Sequence, residues 1–101
     1  MKGTIVKILD YEKIPWMKYG DVSGSSGIVN YSSGNDFIWI EFKDNVIYLY
    51  HAQLIGEKQV KELSHKAILG KGLSTFINQN PQIRDNFLER YKFQGGRYQN
   101  F

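Results

Sequence analysis

Alternating apolar and polar positions in the middle of the chain predict two adjacent β-strands. The first is Phe37-Ile38-Trp39-Ile40-Glu41-Phe42, the second is Val46-Ile47-Tyr48-Leu49-Tyr50-His51, and Lys43-Asp44-Asn45 lies between them. Short runs of β-branched and aromatic residues on either side of an Asp-Asn turn signal are typical of a β-hairpin. The pattern therefore predicts a hairpin over 37–51.

A two-residue turn at Asp44-Asn45 would set the register of this hairpin. It would pair Phe42 with Ile47 and Glu41 with Tyr48, because side chains alternate between faces with period two. One face would then be aliphatic and is expected to be core: Ile38, Ile40, Phe42, Ile47 and Leu49. The other face would carry Trp39, Tyr48 and Tyr50. Two alternatives stay open for it: an exposed aromatic surface for a ligand, or a second core face covered by the N-terminal residues.

The apolar pattern elsewhere predicts strands before position 52 and helices after it. Strands are predicted over 4–9 and 28–32, and helices over about 56–69, 73–79 and 82–91. Gly70 should end the first helix in a left-handed conformation, and Asn80-Pro81 should begin the third. The fold class is therefore α+β: an antiparallel meander of three to four strands followed by two to three helices packed on one face.

The chain of 101 residues has the length of one domain. Its hydrophobic content of 42% is typical of a folded protein. We divide it into an N-terminal strand and loop extension (1–24), a central unit (25–80), an additional helix (81–92) and a flexible tail (93–101).

The residue types argue against an enzyme and against a cofactor. The chain has no cysteine, and its two histidines are His51 and His65, so a disulfide framework or a thiolate zinc site is impossible and no metal-ligand spacing is present. No Ser, His and acid trio is indicated, and we expect no catalytic residues. The apolar runs are shorter than the roughly 20 residues of a membrane span, which predicts a cytoplasmic protein without membrane contact.

Charge is distributed unevenly along the chain. The net charge is +3, made of −1 over residues 1–55 and +4 over residues 56–101. A basic half permits a phosphate-bearing partner. The candidate phosphate contacts are Lys58, Lys61, Lys66, Lys71 and Arg84, and the candidate base-stacking groups are Tyr48 and Tyr50. The alternative for the lysines is a solvated helix face, since Glu57 and Glu62 interrupt them.

The order of these motifs resembles the KTSC domain. The matching pieces are Ser25-Ser26-Gly27-Ile28, Tyr31, Ile40-Glu41-Phe42, Tyr48-Leu49-Tyr50, Val60, Leu63, Ala67, Gly70 and Phe76-Ile77. That family is a short module found alone in bacterial and phage proteins and at the C-terminus of some lysyl-tRNA synthetases. The resemblance implies association with nucleic acid and brings no catalytic residues.

Three functional hypotheses follow. The first is a non-catalytic KTSC-like module that binds RNA, such as tRNA, or single-stranded DNA. The alternative is a protein-interaction module that binds a host protein or self-associates as a homodimer. The third is a small nucleotide bound at the turn Gly70-Lys71-Gly72-Leu73-Ser74-Thr75.

Overall fold

The protein, described over residues 6–101 by a computed structural model, forms one antiparallel sheet with helices on one face. The strands are β1 (Ile8–Leu9), β2 (Met17–Lys18), β3 (Ile28–Ser33), β4 (Phe37–Phe42), β5 (Val46–His51), β6 (Glu89–Gln94) and β7 (Arg97–Asn100). The helices are α1 (Ala52–Ile55), α2 (Glu57–Leu69), α3 (Leu73–Gln79) and α4 (Pro81–Arg84), with a 3-10 turn at Tyr11–Lys13. The α+β class is confirmed, and the sheet has more strands than the predicted three to four.

Strand order in the sheet is β1-β7-β6-β5-β4-β3-β2. Three of the predicted strands form the β3-β4-β5 meander inside the sheet, and the strand predicted over 4–9 corresponds to β1 at one edge. The additional strands are β2, β6 and β7. Positions 4 and 5 of the first predicted strand fall outside the described residues.

The β4–β5 hairpin differs from its predicted register by one residue. Phe42 pairs with Val46, so residues 43–45 form a three-residue loop in which Asn45 has a φ of 64°. Asn occupies this left-handed region more easily than most residues and can therefore close such a loop. A shift of one residue moves every side chain of β5 to the opposite face of the sheet.

This shift overturns both predicted faces of the hairpin. Ile38 pairs with Tyr50 and Ile40 with Tyr48, so the two tyrosines lie on the same face as those isoleucines. Trp39 pairs with Leu49 and lies on the opposite face. A face made of Trp39, Tyr48 and Tyr50 does not form, and neither does an all-aliphatic face that joins Ile38 and Ile40 to Ile47 and Leu49.

The helices cover the face that carries Ile38, Ile40 and Tyr50. The buried side chains that the helices contribute are Val60, Leu63 and Ala67 from α2, Leu73 and Ile77 from α3, and Ile83 from α4. The helices predicted over about 56–69 and 73–79 are therefore confirmed as α2 and α3. Gly70 ends α2 with φ 69° and ψ 24°, as predicted, and a Cβ there would lie 3.0 Å from the Gly20 Cα. Both the conformation and the close approach favour glycine.

The opposite face is crossed by residues 10–16, which we call the strap. β1 pairs with β7 at one edge of the sheet, and β2 pairs with β3 at the other edge, so the residues between β1 and β2 must cross the sheet. Beneath the strap, Ile47 has no exposed surface, Tyr91 is 3% exposed and Glu41 is 6% exposed. The sheet therefore has a second buried face beneath N-terminal residues, but of the three aromatic side chains predicted for such a face only Trp39 lies on it.

The C-terminal quarter of the chain differs most from the prediction. The third helix ends at Arg84 and not at Tyr91, and β6 begins at Glu89. The residues predicted as a flexible tail form the β6–β7 hairpin, in which Gly95 and Gly96 make the turn with φ values of 65° and 80°. Two positive φ values suit a tight hairpin turn, and glycine adopts them without steric cost.

Membrane contact was not expected from the sequence. Within residues 6–101, no helix is both long and apolar enough to cross a bilayer.

Candidate functional site

A groove opens on the helix-covered face at the point where the helices stop. Its cavity measures about 450 Å³, and we call it the β5–β6 groove. Val46, Tyr48, Lys92 and Phe101 form its floor, with Tyr50 at its base. Ile77, Asn78 and Arg84 form the helical wall, and Phe42 and Asp44 close the end near the β4–β5 loop.

Strand pairing explains why cations and aromatic rings share this floor. Tyr48 pairs with Arg90, and Val46 pairs with Lys92. Paired residues in an antiparallel sheet project from the same face. Both cations of β6 therefore lie beside the β5 residues, on the part of the sheet that the helices leave uncovered.

Tyr48 is held in place by three aromatic neighbours. Its ring is stacked on Tyr50 at 6.1 Å between centroids and makes edge contacts with Phe42 at 5.6 Å and Phe87 at 5.2 Å. Such offset and edge-on arrangements are the favourable ones for aromatic pairs. The side chain is half-buried and lines the groove, so part of its surface is presented in a fixed orientation.

Tyr50 does not have the role that the sequence predicted for it. It is 1% exposed, and its hydroxyl donates a hydrogen bond to the backbone oxygen of Arg84 at 3.1 Å. Burial raises the pKa of its hydroxyl above the ordinary value. A buried ring cannot stack on a base, so Tyr50 is a positioning residue that ties the end of α4 to the sheet.

The cations of the groove differ in how far they are neutralised. Arg84 donates from Nε and Nη2 to the Asp85 carboxylate at 3.0 and 3.2 Å. This pair raises the pKa of Arg84 and lowers that of Asp85, and it offsets the arginine charge. Lys92 is exposed and has no carboxylate within 4.0 Å among residues 6–101.

Arg90 connects the cations to the aromatic rings. Its guanidinium carbon lies 4.0 Å from the Phe101 ring centroid and 4.9 Å from that of Phe87, and its Nε donates to the Phe101 backbone oxygen at 3.2 Å. A guanidinium over aromatic faces is stabilised by the ring quadrupole and keeps its charge. Like Lys92, Arg90 forms no ion pair with an Asp or Glu side chain within the described part of the chain.

The structure brings together three of the seven sequence-predicted site residues: Tyr48, Tyr50 and Arg84. The predicted lysines lie elsewhere. Lys58 and Lys61 are exposed on α2, where they share a shallow cleft with Glu57, Glu62 and His65.

The other two predicted lysines are also outside the groove. The Lys66 ammonium lies 3.3 Å from the Glu62 carboxylate and 5.2 Å from the Phe76 ring centroid. Lys71 is exposed at the turn after α2. The four lysines therefore do not form one surface with the groove.

The predicted site lacked Arg90, which lies beside the groove, and seven residues of the groove lining: Phe42, Asp44, Val46, Ile77, Asn78, Lys92 and Phe101. A signal for two of them was present in the sequence. Residues 89–94 alternate around Tyr91 and Phe93, and Gly95-Gly96 follows. A strand over 89–94 would have placed Arg90 and Lys92 together on one face.

Several of the remaining candidate groups are engaged within the protein. His51 Nδ1 accepts a hydrogen bond from the Gln53 amide at 2.9 Å, and so caps α1. At the turn after α2, the amides of Gly70, Lys71 and Leu73 bond to Ala67, Lys66 and Tyr19 respectively. In the described part of the chain, no group of three or more acids and histidines could hold a metal ion.

Comparison of the chain with protein-family models, with curated proteins and with solved structures finds no match of any of the three kinds. The resemblance to the KTSC domain stays a prediction from the order of motifs.

Proposed function

We propose that this protein is a non-catalytic module that binds single-stranded nucleic acid, RNA or DNA, in the β5–β6 groove. The observation that carries the proposal is the pairing of aromatic surface with uncompensated positive charge on one stretch of sheet. Tyr48 and Phe101 offer ring surface, and Arg90 and Lys92 stand beside them without an Asp or Glu partner among residues 6–101. Proteins that hold single strands use stacking rings together with cations that follow the phosphates.

The local charge balance supports an anionic ligand. Arg84 and Asp85 offset each other, and Asp44 is the remaining acid at the groove. Arg90 and Lys92 then leave the groove with an excess of positive charge. A phosphate at Lys92 would gain a partner, and its bound counterions would be released into solution.

A titration of one labelled single strand at two salt concentrations tests the proposal. We expect Lys92→Gln to weaken binding by about 5- to 10-fold at low salt, equivalent to about 1–1.4 kcal/mol for one charge-assisted contact. The slope of log Kobs against log salt should fall by about 0.7, the value for one phosphate contact on a single strand.

Lys58→Gln is the matched control for that titration. It removes the same charge from an exposed lysine on α2, outside the groove. We expect it to change the affinity by less than about twofold, since distant exposed charges are screened at ordinary ionic strength. Absence of binding at low salt by the unaltered protein contradicts the proposal, and so does an equal effect of both substitutions.

A second candidate function, self-association or binding of another protein, is supported by a different surface. Val22, Ile68 and Leu69 are 69%, 69% and 56% exposed, and the Val22 amide donates to the Gly70 backbone oxygen at 2.8 Å. Neighbouring exposed apolar side chains are a feature of interaction surfaces. Light scattering at increasing concentration tests the homodimer: Ile68→Lys should abolish association, and a monomer at all concentrations contradicts this candidate.

A further inference from the structure

We propose that the β5–β6 groove accepts one unstacked nucleobase of the bound strand, and that Asn78 discriminates between bases. This inference rests on the proposed function and adds to it the unit that is recognised and a residue that determines specificity.

The shape of the groove limits what can enter it. A volume of about 450 Å³ is that of a small-molecule site and not of a surface that follows a long polymer. The ring surfaces of Phe42, Tyr48 and Phe101 meet in this space. A base inside a duplex is stacked and paired and cannot reach such surfaces, whereas a base of a single strand can turn out of its stack. The geometry therefore favours one base from a single strand.

The groove offers two kinds of polar group, cationic side chains and a side-chain amide. Lys92 presents a cation at the groove, and Arg90 lies on the same face of β6, so these two side chains suit the phosphates on either side of the inserted base. Asn78 presents a side-chain amide, which contains both a donor and an acceptor and so matches the mixed edge of a base. Its amide nitrogen has one long contact, 3.5 Å to Ser74 Oγ, and its amide oxygen accepts no hydrogen bond within residues 6–101.

The position of Asn78 makes it suitable for this role. It lies on α3 directly after Ile77, which is 4% exposed and packs in the core, so the backbone at Asn78 is held by a buried neighbour. The amide of Asn78 is itself exposed and lines the groove. A base in the groove would shield this amide from water, so a base whose edge does not match would leave a polar group unpaired.

The test uses short strands in which the base is separated from the backbone. A ten-nucleotide strand made only of abasic sites is compared with four strands that carry one central A, C, G or U. We expect one-base strands to bind at least about fivefold more tightly than the abasic strand, since stacking of one base on aromatic rings supplies that much. The four bases should also differ in affinity from one another.

Asn78→Ala should reduce the differences between the four bases to less than about twofold and leave the salt slope unchanged. Gln79→Ala is the matched control, because it removes an exposed amide from the next position of the same helix, outside the groove lining. Retention of base preference by Asn78→Ala, with an unchanged melting temperature, overturns the role of Asn78.

The outcomes separate this inference from the proposed function. If no strand binds at low salt, the proposed function fails. If the abasic strand binds as well as the one-base strands, the protein binds backbone alone and this inference fails while the proposed function stands. A free mononucleotide that competes as well as the one-base strand also overturns the inference, because the flanking phosphates then contribute nothing.

Discussion

The two faces of the sheet are both rich in aromatic residues, yet they differ in what those residues leave free. On the strap-covered face, Tyr11 stacks on Tyr98 at 5.2 Å between centroids and donates its hydroxyl to Glu41 at 2.7 Å. Asn30 donates to the same carboxylate at 2.8 Å, and the Trp16 indole donates to the Tyr11 backbone oxygen at 3.0 Å. The polar groups of these residues are used within the fold.

The helix-covered face is closed at one end and open at the other. Tyr50 is buried under α4, whereas Tyr48 lines a groove beside Arg90 and Lys92. Aromatic content by itself therefore does not identify a binding surface in this protein. The groove that we propose as the binding surface differs in having a ring next to a cation that has no Asp or Glu partner in the described part of the chain.

The largest expected effect tests whether both faces are cores. Ile40 on the helix-covered face and Ile47 on the strap-covered face have no exposed surface. We expect Ile40→Ala and Ile47→Ala each to lower the free energy of unfolding by about 2–5 kcal/mol in urea denaturation. Ile68→Ala, at a position that is 69% exposed, is the control and should cost less than about 0.5 kcal/mol. A loss below 1 kcal/mol for Ile47→Ala, of the order of an exposed site, would mean that the strap does not close a core.

A smaller effect is expected where the strap is bonded to the sheet. Tyr11→Phe removes the hydrogen bond to the Glu41 carboxylate and should cost about 1.5–3 kcal/mol, the range for bonds to charged groups. Tyr98→Phe is the control, since its hydroxyl makes no hydrogen bond within residues 6–101. Both variants should bind nucleic acid like the unaltered protein. A loss of affinity in Tyr11→Phe, with the fold intact, would contradict the division of roles between the two faces.

The same hydroxyl predicts a pH dependence. Burial and the hydrogen bond to Glu41 raise the pKa of Tyr11 from 10.0 to about 12. Above pH 10 the unfolded chain loses this proton before the folded protein does. The contribution of Tyr11 to the free energy of unfolding is therefore fully present below pH 10 and is lost as the pH rises toward 12. Denaturation at several pH values in that window should show that the free energy of unfolding falls less steeply with pH in Tyr11→Phe. The difference in slope should correspond to up to one proton. An unchanged slope would contradict the raised pKa.

The smallest expected effect on stability is at the open end of the groove. Lys92 is exposed and makes no ion pair within the described residues, so Lys92→Gln should change the free energy of unfolding by less than about 0.5 kcal/mol. Thermal denaturation checks this. A large loss of stability would show that Lys92 has a structural role, and weaker binding by Lys92→Gln could then not be attributed to a lost phosphate contact.

Local patterns predicted α2 and α3 well because each has a continuous apolar stripe and a clear stop. The hairpin was also identified, but its register depended on whether Asp44 or Lys43 began the loop. A three-residue loop closed by Asn45 shifts the register by one position relative to a two-residue turn. Because side chains of a strand alternate between the two faces of the sheet, this shift exchanges the faces of all β5 side chains. The candidate stacking surface was misassigned for this reason.

The third helix begins where it was predicted, at Asn80-Pro81, but its predicted length was wrong for a different reason. Ile83, Phe87 and Tyr91 are spaced four apart, which matches a helix, although the last belongs to β6. The pairing of β6 with β5 joins residues far apart in the chain, and local periodicity does not encode such contacts. Local spacing could have placed Arg90 and Lys92 on one face of a strand, but only the pairing with β5 brings that face to the groove.

The most direct test of the groove is a titration of 15N-labelled protein with a single-stranded oligonucleotide, followed by two-dimensional NMR. The account predicts that the amide signals of Tyr48, Asn78 and Lys92 shift during the titration, while those of Tyr11 and Lys58 stay in place. Shifts confined to α2 or to the strap, or no shifts at low salt, would contradict the claim that the open end of the helix-covered face is the binding site.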